Sequence, residues 1–393
     1  MTVPATEVLD LIPLAATLVQ SEGGLKAITL LRSQGYSPEL VRSALEQVDL
    51  RAGLDSHWPA DWLLTRDGAE QASHPLVARF HAQIVAESGV SSIVDLTAGI
   101  GSDCAAMAER GIAVIAIERD PRTLAALTHN LSKYSETKII DGDSEVVAPT
   151  SGAYFVDPAR RSGTRTASGA RALPERDPER WSPPLSRILA RSHSSKIFMK
   201  AAPAFEPPAG WARYCISLDR NLVEMFTTNA HSGTYAIAID SQANATNVLE
   251  EQPDLEPSRH AEQIGAYLFE LDPAVTRANL GTQLALNHNL EGLGTKRIWL
   301  TGDAALASPW WRCYQVHDVF PMKELAQHVS HLPGVAIKSR DSHLDFNSLR
   351  KAAKKPDHNV WAVVVTSVHQ VSSQNEREVG VLVSRVIRTT PDQ

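Results

Sequence analysis

A strand, a glycine turn and a helix follow one another around residue 100, and this succession constrains the fold more than any other feature. Residues 92–96 are predicted to form a buried strand, residues 98–101 a turn, and a helix begins near Ser102. Gly99 and Gly101 permit the positive φ angles of a tight turn and leave no Cβ in the way of a ligand. The helix N-terminus then presents backbone N–H groups to a polar group. The pattern predicts a nucleotide pocket in an α/β fold.

Two kinds of nucleotide pocket begin with a glycine turn, and the flanking residues distinguish them. A dinucleotide fingerprint has a third small residue where Cys104 stands here, and it needs no acid at the end of the first strand. In this chain the turn reads Asp-x-Thr-x-Gly-x-Gly. The Asp95 carboxylate could accept a hydrogen bond from a cationic amino group. Asp95, Thr97, Gly99 and Gly101 are therefore predicted to bind S-adenosylmethionine rather than NAD.

Three further predicted strands also end on acids: residues 112–117 before Glu118, residues 138–140 before Asp141 and Asp143, and residues 153–156 before Asp157. Ligands of open α/β sheets bind at the carboxyl ends of the strands, so these acids are expected to share one rim with Asp95. Glu118 is the predicted partner of the ribose hydroxyls. Asp141 and Asp143 compete for the adenine amino group, and Asp143 is preferred because Gly142 turns the chain just before it.

Asp157 and Pro158 are the predicted catalytic residues. Proline restricts the preceding residue to extended geometry, so Asp157 is held at the strand tip, where it faces the cofactor. Methyl transfer is an in-line displacement that gains from alignment, and a fixed carboxylate can accept a proton from the acceptor group. Nitrogen-methylating enzymes of nucleic acids usually carry an aromatic residue next, where this chain has Arg160. The target atom therefore stays open.

Charge distribution favours a nucleic-acid substrate. The chain carries a net charge of −7, so any binding of nucleic acid must be local. Residues 158–200 contain ten lysines and arginines against three acids, which is suited to phosphate contact. An arginine-rich surface exposed only to solvent is the alternative, and a weaker basic patch occurs in the last domain. The predicted substrate-binding residues are Arg160, Arg161, Arg165, Lys200, Lys338 and Arg340.

The number and spacing of the three cysteines indicate the cellular compartment. Cys104, Cys215 and Cys313 form no C-x-x-C pair, and no histidine stands at metal-ligand spacing, so neither a disulfide framework nor a metal site is predicted. Acids occupy the N-terminal positions where a signal peptide is basic, and no apolar run approaches membrane-spanning length. We expect a cytoplasmic protein without a membrane partner. The oligomeric state is not predicted.

Composition and periodicity divide the chain into four parts. Residues 1–72 are predicted to be helical, and residues 73–245 to form the nucleotide-binding domain. Residues 246–262 are rich in Asn, Gln, Glu and Pro and are predicted to be a linker. Residues 263–393 alternate strands and helices again, which predicts a second α/β domain.

Several motifs resemble bacterial class I S-adenosylmethionine-dependent methyltransferases that carry a C-terminal THUMP-like domain. They are residues 44–51, residues 64–72, the turn at 95–101, Asp157-Pro158-Ala159-Arg160-Arg161, and Ile337-Lys338-Ser339-Arg340 with the Leu349-Arg350-Lys351 helix, where Ser339 replaces the usual lysine. The resemblance covers nearly the whole chain.

This resemblance implies a Rossmann-like class I methyltransferase domain, preceded by a helical region and followed by a second, THUMP-like α/β domain. It also implies S-adenosylmethionine as cofactor. Relatives with this architecture look like RNA methyltransferases, which implies tRNA or rRNA as substrate. The alternatives are a protein or small-molecule methyltransferase, and an RNA-binding protein that keeps the cofactor fold without turnover.

Overall fold

The computed structural model describes residues 3–52, 58–160, 175, 177–256, 260–294, 298–330, 336–339, 361–370 and 375–385. The chain divides into two compact units. The first unit contains residues 1–212 and 225–232, and the second contains residues 213–224 and 233–393. Among the described helices, none combines the length and the apolar character that crossing a bilayer requires.

The first unit is built from helices and a mostly parallel sheet. Its described helices are α1 (Ala5–Glu22), α2 (Gly24–Ser33), α3 (Pro38–Ala52), α4 (Arg66–Gln71), α5 (Pro75–Glu87), α6 (Ser102–Glu109), α7 (Pro121–Asn130), α8 (Ser144–Val147) and α9 (Leu185–Ser192). Its strands are β1 (Ser92–Asp95), β2 (Ala113–Glu118), β3 (Thr137–Asp141), β4 (Ala153–Val156) and β5 (Lys196–Ala201). Strands β6 (Ala212–Leu218) and β7 (Asn221–Thr228) each have residues in both units.

The sheet of the first unit has the strand order β3-β2-β1-β4-β5, and neighbouring strands are parallel. Residues 225–228 of β7 then pair antiparallel with β5. The order reverses between β1 and β4, and an open α/β sheet binds its ligand at such a reversal, beyond the carboxyl ends of the strands. Mixed pairing with flanking helices confirms the predicted α/β class.

Two side-chain amides, those of Gln47 and Asn130, bind the backbone of the segment before α4. The Gln47 amide donates to Leu64 O at 2.8 Å and accepts from Leu64 N at 3.0 Å. The Asn130 amide accepts from Leu63 N at 2.8 Å and donates to Leu63 O at 3.0 Å and to Ile100 O at 2.9 Å. Buried amides that satisfy backbone groups in this way specify a unique arrangement. The N-terminal helices are thereby tied to the glycine turn.

Gly68 of α4 packs directly against that turn. A Cβ added at Gly68 would lie 2.3 Å from Ile100 Cγ2, so only glycine permits this approach. Thr65 caps α4 by accepting a hydrogen bond from Gly68 N at 3.1 Å. Residues 64–72, which carry part of the family resemblance, therefore pack against the turn at Ile100.

The second unit contains a seven-stranded mixed sheet with the order β11-β12-β10-β13-β16-β15-β14. Its strands are β10 (Tyr267–Leu271), β11 (Glu291–Leu293), β12 (Trp299–Gly302), β13 (Trp311–Pro321), β14 (Ala336–Ser339), β15 (Trp361–Gln370) and β16 (Asn375–Arg385). Its described helices are α10 (Pro273–Ala278), α11 (Gly281–Asn287) and α12 (Leu325–Ser330). Phe269 and Trp311 meet edge to face at 5.4 Å in the apolar core of this unit.

The second unit also contains most of β6 together with β8 (Thr234–Asp240) and β9 (Ala245–Glu250). Strand β8 runs parallel to β6 and antiparallel to β9. Strand β9 occupies the start of the region that composition assigns to a linker, which is a correction to that assignment. The boundaries between the compact units follow residues 212, 224 and 232, and they differ from the predicted boundary at residue 245.

Candidate cofactor and acceptor site

Both predicted glycines of the turn have left-handed backbone, with φ of 57° at Gly99 and 95° at Gly101. Their surroundings differ. A Cβ added at Gly99 would meet nothing within 4 Å, whereas one at Gly101 would lie 2.9 Å from Leu127 Cδ1 of α7. Gly99 therefore faces open space at the end of β1, and Gly101 is held by packing.

The two glycines predict different defects for the same substitution. Left-handed backbone costs an alanine about 1 kcal/mol at either position, and overpacking against Leu127 adds about 1 kcal/mol or more at Gly101. We expect Gly101→Ala to lower the melting temperature more than Gly99→Ala does. We expect Gly99→Ala to weaken S-adenosylmethionine binding more, because its methyl group enters the open space. Calorimetric titration and thermal unfolding of both variants test this, and equal losses of affinity would contradict it.

Glu118 lies next to Gly99, as the predicted rim requires. Its Oε2 accepts a hydrogen bond from Gly99 N at 3.0 Å, and its Oε1 accepts from the N–H groups of Arg119 and Asp120 at 2.8 Å each. Three backbone donors therefore hold one carboxylate at the tip of β2. A carboxylate fixed beside the open face of the turn is suited to accept from ligand hydroxyls.

Asp143 continues the rim beyond Glu118. Its Oδ2 lies 3.2 Å from the Arg119 guanidinium, and its Oδ1 accepts from Glu145 N at 2.9 Å, which caps α8. Asp141, its predicted competitor, is exposed at the end of β3. The choice between the two for an adenine amine stays a prediction.

Asp95 departs from the expected arrangement. It is 1% exposed, its Oδ1 accepts from Thr97 N at 2.9 Å, and its Oδ2 accepts from Cys104 Sγ at 3.1 Å. The carboxyl group thus lies inside the turn and not on its open face, because both oxygens are engaged by the turn itself and by α6. Burial raises the pKa of Asp95 to about 7. It bonds to the turn and to α6, and its contact with S-adenosylmethionine stays a prediction.

That raised pKa predicts how stability depends on pH. An unfolded aspartate has a pKa of about 3.9, so between about pH 4 and pH 7 the folded state keeps a proton that the unfolded state loses. Stability contributed by this group therefore falls as pH rises through that window, by roughly 3 kcal/mol. We expect Asp95→Asn, which keeps an acceptor for Thr97 N–H, to gain stability relative to the parent from about pH 5 to about pH 8. Urea unfolding measures the difference, and parallel pH profiles would contradict the prediction.

Asp157 is joined to the glycine turn through Thr97. The Asp157 N–H donates to Thr97 Oγ1 at 2.7 Å, and buried Pro158 follows it. Ala159 then pairs with Ser182, with N···O distances of 2.8 and 3.1 Å. The Asp-Pro-Ala segment is therefore fixed on two sides. The structure brings the predicted catalytic residue to the same rim as Glu118.

Two cations face the Asp157 carboxylate. Lys200 Nζ lies 2.7 Å from Oδ2, and the half-buried Arg160 guanidinium lies 4.0 Å from Oδ1. Lys200 is only 4% exposed, and its role as a substrate contact stays a prediction. At the end of β5 its side chain is directed into the interior and not toward a surface that phosphate could reach.

A buried polar cluster surrounds Lys200, and sequence reasoning did not identify it. Lys200 Nζ donates to Ser73 Oγ at 2.8 Å, and Ser73 Oγ donates to Asp103 Oδ2 at 2.7 Å. His81 Nδ1 lies 2.7 Å from Asp103 Oδ1, and the His81 ring stacks on Phe226 at 4.4 Å. Burial alone would raise the pKa of Asp103, but Lys200 and His81 outweigh it and hold that pKa at about 2.

The other predicted substrate-binding residues divide into two groups. Lys338, in the second unit, lies 2.6 Å from Glu270 Oε2 and 2.7 Å from the Tyr314 hydroxyl. It is thus paired within its unit, and its contact with substrate stays a prediction. Arg161, Arg165 and Arg340 lie outside the described residues.

Known proteins that are similar to this chain include methyltransferases, in agreement with the pocket that this geometry indicates. No protein-family model matches the chain. An uncharacterized S-adenosylmethionine-dependent methyltransferase of Mycobacterium tuberculosis CDC 1551 is 27% identical over 321 residues, which cover 79% of this chain and 86% of that relative. The corresponding protein of strain H37Rv matches equally.

Among solved structures, that of a proposed methyltransferase from Porphyromonas gingivalis W83 aligns with a TM-score of 0.73. Sequence identity is 18%, and the alignment covers 97% of this chain and 99% of the other. At this identity the match shows the fold alone.

Proposed function

We propose that this protein transfers a methyl group from S-adenosylmethionine to RNA. The chain is a methyltransferase and its cofactor is S-adenosylmethionine, in agreement with its relatives from M. tuberculosis. One observation carries the assignment to this site. The Glu118 carboxylate and the Asp157 backbone are both bonded to the turn that contains Gly99, at 3.0 and 2.7 Å.

The residues at the rim fit this cofactor. Open space above Gly99 leaves room for a ligand against bare backbone. Glu118 would hold the ribose hydroxyls, and Asp143 would accept from the adenine amine. Gly101, Asp95 and Thr97 would keep the turn in shape without needing to touch the ligand. When bound, the cofactor supplies a methyl group on a positively charged sulfur.

Asp157 is the residue proposed to align the methyl acceptor. Its backbone is fixed by Thr97 and by Pro158, and its carboxylate stays partly exposed at the rim with Lys200 behind it. A carboxylate so fixed can orient the acceptor and take up its proton. In an in-line displacement this alignment is the main contribution that the protein can make.

RNA is proposed as the substrate because of the local charge. Residues 158–200, which begin at the proposed acceptor-aligning segment, contain ten basic residues and three acids in a chain of net charge −7, and eight basic residues remain when Lys196 and Lys200, which bond inside the fold, are left out. Arg160 lies at the rim itself. A segment with this charge balance can contact phosphate while the remainder of the chain repels it. The THUMP-like character of residues 263–393 and its part in positioning RNA belong to this proposal, as do tRNA or rRNA as the RNA class and a cytoplasmic location.

The test is to incubate the protein with methyl-labelled S-adenosylmethionine and, in parallel, with total cellular RNA and total cellular protein. We expect label in RNA, with transfer that weakens as salt concentration rises. Label in protein alone would overturn RNA as substrate and support the protein methyltransferase alternative. RNA binding without transfer to any acceptor would support the non-catalytic alternative.

A further inference from the structure

Lys200 is a buried cation for which the proposed reaction has no direct use. Placing an ammonium group in the protein interior costs several kcal/mol unless partners offset the lost hydration. In the part of the chain that the structure describes, its neighbours include Asp157 Oδ2 at 2.7 Å, Ser73 Oγ at 2.8 Å and Asp103 Oδ2 at 3.8 Å. A charge maintained at this cost beside the proposed acceptor-aligning carboxylate calls for an explanation.

The partners of Lys200 lie on two sides of it. Strand β5 pairs with β4 in the register Met199 with Val156, so Lys200 lies beside the residue that follows β4, which is Asp157. On the other side, Asp103 of α6 and Ser73 ahead of α5 are bonded to each other. Lys200 therefore approaches the Asp157 carboxylate from the interior and leaves its outer side toward the rim.

Asp103 is itself held in place from behind. His81 contacts its second oxygen at 2.7 Å, and Ser102 Oγ donates to Ser73 O at 2.7 Å. These side chains come from α5, α6 and the segment between α4 and α5, and α6 begins directly after Gly101 of the glycine turn. The cluster thus links the position of Lys200 to the elements that build the cofactor pocket.

We propose that Lys200 is a positioning residue, which holds the Asp157 carboxylate in a single orientation for alignment of the methyl acceptor. The inference rests on the proposed function of Asp157. Lys200 acts through Asp157 and touches neither cofactor nor acceptor. A purely structural role for Lys200 is the competing explanation, and the two differ in whether the effect of Lys200 depends on Asp157.

A double-mutant cycle separates them. Parent protein, Lys200→Met, Asp157→Asn and the double variant are compared in methyl transfer to RNA, with S-adenosylmethionine affinity measured by calorimetry. We expect Lys200→Met to lower kcat about 10- to 100-fold through misplacement of Asp157, with cofactor affinity changed less than about twofold. In the Asp157→Asn background the same substitution should cost little more. Losses of equal size in both backgrounds would overturn the proposal.

Two further variants sharpen the cycle. Lys200→Arg keeps the cation and should recover part of kcat. Lys196→Met is the matched control, because Lys196 lies on the same strand and donates to Ser88 O at the opposite end. It should leave kcat near that of the parent. Loss of kcat with Lys196→Met equal to that with Lys200→Met would indicate a general effect of β5 and would count against the proposal.

A spectroscopic measurement makes the result independent of turnover. With ¹³C-labelled aspartate, the carboxyl signal of Asp157 at neutral pH should shift or broaden in Lys200→Met relative to the parent, because the cation that fixes its orientation at 2.7 Å is gone. An unchanged signal would overturn the role of Lys200 even if the enzyme is active. If the shift is present but no methyl transfer occurs to any acceptor, the proposed function fails and the coupling of the two residues stands.

Discussion

Asp157→Ala is expected to lower kcat for methyl transfer by about two to four orders of magnitude. The carboxylate at the tip of β4 is fixed by Thr97 on its backbone and by Lys200 on its side chain. Removing it takes away the group proposed to align the acceptor and receive its proton, while Glu118 and Gly99 of the proposed cofactor pocket stay in place. Single-turnover transfer of labelled methyl to RNA measures the loss.

Stability must be controlled in this experiment, because Asp157→Ala also deprives buried Lys200 of one partner. Asp157→Asn is the matched variant, since it keeps the shape and a hydrogen-bond acceptor but loses the charge. Cofactor affinity of both variants should stay close to the parent value, whereas the melting temperature should fall because buried Lys200 loses its nearest charged partner, so kcat is compared at a temperature where each variant is folded. Retention of kcat within about tenfold by Asp157→Ala would show that the acceptor is aligned by another group.

The second large effect is expected on stability, from Asp103→Ala. Asp103 lies between Lys200 and His81 in the interior and accepts from Ser73. Asp103→Ala takes a buried anion from both Lys200 and His81, and although Lys200 keeps Asp157, loss of a buried ionic partner typically costs about 3–5 kcal/mol. Urea unfolding at neutral pH measures this loss. A loss below about 1 kcal/mol, the range of an exposed ion pair, would contradict the prediction.

The pH dependence of the parent protein provides a second readout for Asp103. Its pKa is about 2 in the folded state, below the ordinary value of about 3.9 for the unfolded chain. A lowered carboxyl pKa contributes stability that is present above about pH 4 and is lost as pH falls toward about pH 2. Asp103→Asn should therefore lose stability at neutral pH and show a weaker acid dependence than the parent. Identical acid profiles would assign the acid sensitivity to other carboxyl groups.

The cofactor rim could be predicted from sequence because its signals are local. Strand β1, the turn with Gly99 and Gly101, and helix α6 lie within about twenty consecutive residues, where apolar runs and glycines are informative. Parallel strands then bring their carboxyl ends to one edge, so Glu118 and Asp157 were expected next to that turn. The contacts of both residues with the turn agree with that expectation.

The interior cluster could not be predicted in this way. Ser73 and Lys200 are 127 positions apart in the chain, and no periodic pattern connects them. Lys200 follows an apolar run in a basic segment, so an exposed charge was the simpler interpretation. Asp95 was misplaced for a related reason. Strand β1 is buried on both faces, and an acid at its end turns inward when Thr97 N–H and Cys104 supply hydrogen bonds.

Strand β9 shows a different limit. The predicted linker, residues 246–262, is polar on average, and composition therefore indicated a linker. Every second residue of β9 is nevertheless half-buried, from Ala245 onward, because β9 pairs with β8 and exposes one face. The apolar residues themselves do not alternate, since Asn247 lies on the half-buried face and Val248 is exposed, so neither composition nor periodicity predicts this strand.

The contacts of Gln47, Asn130 and Gly68 hold the segment around α4 next to the glycine turn. They have a practical consequence for truncation. A shortened protein that starts at residue 73, where the nucleotide-binding domain was predicted to begin, would lack the backbone to which the Asn130 amide bonds and the helix that lies against Ile100. The smallest fragment that could retain catalysis must begin upstream of Gln47. Domain exchanges and expression trials should therefore keep the N-terminal helices together with the nucleotide-binding domain.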